Sequence, residues 1–232
     1  MISDLLNTCD PAQQESVSPC VAIRIILPPE EKDLGGFSVR RLLPADNIKS
    51  VGPVIFFDHF GPARFPPGQG MDVRPHPHIG LATITYLFAG EILHRDSLGH
   101  VQPIRPAEIN WMTAGRGISH SERTPPELRE AGHQLHGLQL WVALPEDFEQ
   151  NPPDFVHYAA EQIPVVRQEG VVVRLIVGKA WGVTSPVKAA SPTLYADVQI
   201  SQGATLPLPE DMGERAVYVV DGKIQVQGVT IP

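Results

Sequence analysis

The residues most able to do chemistry in this chain are its histidines. Eight of the nine lie between His59 and His136. Two form His76-Pro77-His78. On a strand, residues i and i+2 point to one face about 6.5 Å apart, so two imidazoles so placed can converge on a single metal ion. A second pair of the same parity follows in His120-Ser121-Glu122. If the two strands face each other, three ring nitrogens and one carboxylate meet. That donor set suits Fe, Mn, Ni, Cu or Zn better than Mg or Ca, which prefer oxygen. Taken singly, each histidine is more often a surface or packed core group. The second pair, recurring in a β-rich frame, favours the metal reading.

Those pairs need strands to hold them. Short β-rich runs bounded by Pro and Gly are expected at 21–27, 37–43, 51–57, 80–88, 91–95, 101–105, 109–113, 118–122 and 135–144. Residues 91–95 and 101–105 flank Asp96-Ser97-Leu98-Gly99-His100 and read as a hairpin with a long loop. Residues 59–75 read as a Pro/Gly-rich loop, the kind of segment that often carries function. Helix signals are poor, with one turn expected from Pro125-Pro126. The acidic, Pro-rich stretch from Glu146 reads as a connection. Strand signals resume at 165–166, 171–177 and 194–200, with a hairpin over 216–226 turning at Asp221-Gly222. Strands at this spacing predict an all-β sandwich or barrel. The expected organisation is an arm at 1–20, a metal-binding domain at 21–145, a linker at 146–164 and a second, shorter β-domain at 165–232.

Composition narrows the function classes. The 232 residues carry 18 Lys plus Arg against 26 Asp plus Glu, a net charge of −8. A general nucleic-acid binder needs a basic face, so direct nucleic-acid binding is not expected. The 24 prolines and 20 glycines imply many turns and few long helices. Cys9 and Cys20 alone make no disulfide framework, which points to a reducing compartment. The first residues have no basic region followed by a long apolar run, and no stretch approaches the length of a membrane span. A cytoplasmic location and no membrane association are the expectations. No Ser-His-Asp or nucleotide-binding pattern stands out.

The glycine context sharpens the metal reading. Gly70 precedes His76 in a Gly-x5-His-x-His spacing, and Gly115 and Gly117 permit a tight turn before His120. These spacings resemble the two motifs of the cupin superfamily, β-barrels that hold a metal inside. Phe57-Asp58-His59-Phe60-Gly61-Pro62, His76-Pro77-His78-Ile79-Gly80, His94-Arg95-Asp96-Ser97 and the run from Trp111 to Glu122 closely resemble the pirin family. The resemblance is strong from Phe37 to Leu144 and looser beyond. It implies a double-stranded β-helix (cupin or jelly-roll barrel) in a bicupin whose second barrel is short or truncated and has no metal ligands. It implies Fe(II) on His76, His78, His120 and Glu122, quercetin 2,3-dioxygenase activity with release of carbon monoxide, and, for the eukaryotic member, transcriptional co-regulation through a protein partner. Two departures stand out: Ala82 occupies the place aligned with the general cupin Glu, and the usual Pro-Gly-Asp turn is Pro106-Ala107-Glu108.

Three imidazoles and one carboxylate on a divalent ion leave a net charge of +1, which a deprotonated flavonol oxygen would neutralise. Glu122 is then both ligand and candidate general base, with a small aromatic or flavonol substrate and O2 as partners. Phe57, Phe60, Phe65, Trp111, Met112 and Ile118 are the candidate pocket walls, Phe60 and Phe65 standing at its rim. His59 and His94 are expected behind the ligands, with Asp58 or Glu91 as hydrogen-bond partners for a ligand ring. Arg95-Asp96 reads as an ion pair near a turn, and Arg116 as a brace or entrance residue. His100, His133, His136 and His157 read as ordinary surface or packing groups. The rival function is an iron-binding regulatory protein whose metal state controls a protein partner.

Overall fold

The computed structural model describes residues 23–33, 37–209, 213–226 and 228–232. The expected arm, with Cys9 and Cys20, lies outside them. Residues 29–216 form one compact unit, and 217–232 belong to another.

The larger unit is built on two antiparallel sheets. Its strands are β1 (Glu30–Asp33), β2 (Ser38–Leu43), β3 (Val54–Phe65), β4 (Asp72–His78), β5 (Leu81–Ala89), β6 (Ile92–Asp96), β7 (Val101–Ile104), β8 (Ile109–Thr113) and β9 (Ile118–Arg123), then helix α1 (Pro126–Ala131) and β10 (His133–Ala143). Helix α2 (Glu146–Glu149), β11 (Asp154–Tyr158) and a 3-10 turn at Ala160–Gln162 follow. One sheet has seven strands in the order β1-β2-β3-β10-β5-β8-β11, the other four in the order β4-β9-β6-β7. This is the all-β cupin architecture the strand spacing and the resemblance lead to.

The central strands explain themselves. β5 is rich in β-branched and aromatic residues and is buried along most of its length because β10 and β8 flank it. Its two faces differ. Thr83 and Thr85 pair across to Met112 and Asn110, and to Trp141 and Gln139, on one face. Ala82, Ile84 and Tyr86 take the other. The first face meets the four-stranded sheet. The second turns toward the later strands, where the Tyr86 hydroxyl donates to Asp197 at 2.7 Å. An apolar cluster of Val39, Phe60, Phe65, Met71, Leu87, Ile92, Ile104 and Leu135 closes one part of the core.

The later half carries β12 (Val165–Gln168), β13 (Val171–Val177), β14 (Lys179–Ala180), β15 (Val183–Thr184) and β16 (Tyr195–Ile200), with β12-β13-β16 as a three-stranded sheet. The segment expected to connect the halves is structured: β11 pairs with β8 and so completes the seven-stranded sheet. In the smaller unit, β17 (Ile224–Val226) pairs with β18 (Val229–Ile231).

Three sequence expectations are corrected. Of the strand expected at 21–27, residues 23–27 form no strand, because the open side of β2 is taken by β1 instead. The loop expected at 59–75 shrinks to residues 66–71: Gly61 and Pro62 are absorbed at a bulge opposite Leu135 and Gly137, and β3 continues to Phe65. The last hairpin turns at Gly228, whose φ is +84°, and residues 216–220 are not strand.

Candidate metal centre

β4 can carry Pro75 and Pro77 because it is the edge of its sheet, where a missing backbone N–H costs little. The prolines alternate with the histidines, so the two histidine side chains share one face. Across the ladder His76 stands opposite His120. On the other side of β9, β6 places Asp96 opposite His120 and His94 opposite Glu122. The turn that feeds β9 depends on Gly115, whose φ is +51° and where an added Cβ would lie 2.2 Å from the Asn151 carbonyl oxygen. The expected role of this glycine turn is thereby realised in tertiary contact. At Pro106-Ala107-Glu108, Ala107 holds a φ of +69°, a conformation that glycine adopts with less strain.

His76, His78 and His120 each offer one ring nitrogen within 4.8 Å of the others. The Nε2 atoms of His78 and His120 are 3.1 Å apart, and His78 and His120 are buried while His76 is half-buried. Burial, helped by the neighbouring histidines, lowers the His78 pKa to about 4 and that of His120 to about 2. Both rings are therefore neutral at neutral pH, the form that ligates a metal. His76 Nδ1 lies 2.9 Å from the Arg74 carbonyl, so it donates there and leaves Nε2 as its donor atom to an ion. The convergence of three imidazole nitrogens, those of His78 and His120 buried and neutral, fits a borderline transition metal.

Glu122 stands outside that three-atom cluster. Its Oε1 accepts from the Thr85 hydroxyl at 3.0 Å, and Thr85 Oγ1 is also 2.9 Å from the Gln139 side-chain amide. Burial raises the Glu122 pKa, opposed by His94, by the Thr85 hydrogen bond and by His76. Thr85 therefore supports the ionised carboxylate. Ala82, the position aligned with the general cupin carboxylate, is fully buried on the opposite face of β5 from Thr83 and Thr85.

Behind His120 lies a polar chain. Its Nδ1 is 3.3 Å from His94 Nδ1, and His94 Nε2 is 3.1 Å from Asp96 Oδ2. Asp96 also accepts from His100 Nδ1 at 2.9 Å and from the Leu98 and His100 backbone N–H groups. Burial pushes the Asp96 carboxyl up, but the hydrogen bonds from His94, His100 and Leu98 hold it below its ordinary value. His94 thus stands behind His120. Its partner is Asp96. Asp58 instead makes a two-pronged pair with Arg41 at 2.8 Å, and Glu91 pairs with Arg105 at 2.7 Å. The Asp96 carboxylate is spent on His94 and His100 rather than on Arg95. His59 is tied to Arg40 and His136, and Arg116 is exposed, with its backbone N–H on the Asn151 carbonyl.

The facing sheet supplies the walls. Trp141 meets His78 edge-on at 5.0 Å and stacks on Phe56 at 4.0 Å, with the Arg41 guanidinium 4.5 Å from the far ring's centre. Phe155 stacks on His94 at 4.3 Å and packs with Met112 and Ile118. Met112 and Ile118 therefore stand beside the centre. Trp111 shares the Ile84 face of the sheet and lines a cleft with Thr113, Leu144, Phe148 and Lys188. Phe57 pairs with Leu140, one position out of phase with Trp141. Phe60 and Phe65 are core residues on β3 rather than rim residues on a loop. Sequence reasoning missed Phe56, Thr85, Gln139, Trp141 and Phe155. Strand parity counted from Trp141 would have preferred Phe56 to Phe57.

Comparison with known proteins agrees with this arrangement. The family model described as Pirin matches residues 36–142. A pirin-like protein of Caulobacter vibrioides is 48% identical over 209 residues, covering 89% of this chain and 72% of that protein. Pirin of Rattus norvegicus is 36% identical over 203 residues, covering 87% of this chain and 66% of its own length. A crystal structure of quercetin 2,3-dioxygenase from Acinetobacter baumannii superposes with a TM-score of 0.70 at 41% identity, covering 75% of this chain and 57% of that one. The chain therefore spans between 57% and 72% of the length of these three relatives. At 48% identity to a relative of which it covers 72%, the chain belongs to the pirin family.

Proposed function

We propose that this chain acts as a metal-dependent dioxygenase that opens flavonols such as quercetin with O2, releasing carbon monoxide. The site is a mononuclear Fe(II) centre on His76, His78, His120 and Glu122. The observation that carries the reading is the convergence of three imidazole nitrogens within 4.8 Å on the inner face of the smaller sheet. A relative named quercetin 2,3-dioxygenase shares the fold at 41% identity. Mn, Ni, Cu or Zn satisfy the same donors, and loading conditions decide among them.

When bound, the metal supplies Lewis acidity toward the flavonol 3-oxygen and a redox centre for O2. The chain's own groups do the rest. The Thr85 hydroxyl occupies Glu122 Oε1, which leaves Oε2 to take the 3-hydroxyl proton. The raised pKa of Glu122 moves it toward the range of a working base. Trp141, edge-on to His78 and backed by Phe56, is the apolar wall for an aromatic substrate, and Phe155 covers His94 behind the ligands. The two-barrel division at 21–145 and 165–232 and a cytoplasmic location belong to the same reading. The sheet β12-β13-β16 supports the first. Among the described residues no helix is long and apolar enough to cross a membrane.

The test is anaerobic loading with Fe(II), elemental analysis and oxygen uptake with quercetin, for wild type and His120→Ala. About one iron per chain and quercetin-dependent uptake, both lost in the variant, are expected. Iron-loaded protein that binds quercetin without consuming O2 would overturn the enzymatic reading in favour of a metal-dependent partner-binding protein.

A further inference from the structure

The hydrogen-bond chain His120–His94–Asp96–His100 has a direction. The Asp96 side chain is fully buried, while that of His100 is 42% exposed. An ionised carboxylate only accepts hydrogen bonds, so a His94 ring that carries one proton donates it from Nε2 to Asp96 Oδ2, 3.1 Å away. Its Nδ1 is then an acceptor. Among the described residues the group facing that atom is His120 Nδ1 at 3.3 Å, which must carry the ring proton. The lone pair of His120 is thereby assigned to Nε2, the atom that faces His78 Nε2 at 3.1 Å.

We propose that Asp96, acting through His94, holds His120 in the tautomer that presents Nε2 to the metal. His94 and Asp96 are positioning residues of the centre, and His100 anchors the carboxylate from the solvent side. The inference rests on the metal-site reading above and extends it to three residues that touch neither substrate nor the ligating atoms.

The geometry separates this role from turn capping. Asp96 Oδ1 accepts from the Leu98 N–H at 2.9 Å and the His100 N–H at 3.0 Å, whereas Oδ2 faces the rings, His94 Nε2 at 3.1 Å and His100 Nδ1 at 2.9 Å. Asp96→Asn keeps an oxygen for the turn and turns an NH2 toward His94. That amide donates to His94 Nε2, so the His94 proton moves to Nδ1 and is offered to His120 Nδ1. The His120 proton is driven onto Nε2, the atom the metal needs. Residues behind metal ligands typically contribute about 10- to 100-fold in metal affinity. His94→Phe removes the relay but keeps an aromatic ring for Phe155, which stacks on His94 at 4.3 Å, and leaves the turn untouched.

The experiment measures Co(II) affinity by chelator competition for wild type, Asp96→Asn and His94→Phe, and reads the His120 tautomer by 15N NMR in metal-free protein. Urea unfolding checks that each variant folds. We expect wild-type His120 protonated at Nδ1, a shift to Nε2 in Asp96→Asn, and Co(II) affinity about 10- to 100-fold weaker in both variants. Wild-type His120 protonated at Nε2, or folded variants with unchanged Co(II) affinity, would overturn the inference. Wild-type protein that takes up no transition metal would sink the dioxygenase reading, while the tautomer in metal-free protein would still decide the role of Asp96.

Discussion

Protonation of His59 should make the fold acid-sensitive in a way one substitution can isolate. His59 is 1% exposed, its Nδ1 is 2.9 Å from Arg40 Nη2, and its Nε2 is 2.7 Å from His136 Nε2. Burial, then the Arg40 charge, then His136 lower its pKa to about 3. In the unfolded chain it titrates near 6.5. Between those values the unfolded state binds one more proton than the folded state. Stability is therefore fully present above about pH 6.5 and falls as pH drops toward 3, at about 1.4 kcal/mol per pH unit. Integrated from pH 7 to pH 4.5, His59 accounts for a loss of about 2.5 kcal/mol. Urea unfolding with a chelator present, at both pH values, for wild type and His59→Gln, measures it. His78 and His120 act in the same sense in both proteins and cancel in the comparison. The variant should lose about 2.5 kcal/mol less than wild type over this interval. An equal loss in the two proteins would refute the claim that His59 is buried in its neutral form.

Gly115→Ala should cost about 3 kcal/mol or more in urea unfolding, because its Cβ would meet the Asn151 carbonyl oxygen at 2.2 Å in a left-handed turn; a loss under about 1 kcal/mol would contradict that turn. Trp141→Ala should weaken quercetin binding about tenfold by fluorescence titration while leaving metal stoichiometry intact, since Trp141 borders His78 without ligating; unchanged affinity would remove it from the pocket wall.

Much of this centre is legible before folding because strand parity is a local property. His76 and His78 share a face whatever their partners, as do His120 and Glu122. Glycines at 115 and 117 announce the turn between β8 and β9. The β-branched runs at β5, β8 and β13 are read directly from composition. The Pro/Gly punctuation misled at β3, where a bulge against β10 absorbs Gly61-Pro62 and carries Phe65 into the core.

Local residue order already sets which nitrogens can meet, their parity and the β class of the scaffold. What stands behind and opposite them was settled by tertiary pairing. Phe155 reaches His94 from a segment that reads as a linker, because β11 finds a free edge on β8. Thr85 reaches Glu122 because two sheets pack face to face. Asp96 binds His94 rather than the adjacent Arg95, because i and i+2 share a strand face whereas i and i+1 do not. Spacing along one strand follows from backbone geometry alone, but which strands become neighbours depends on the burial of the whole chain, and no local run of residues encodes it.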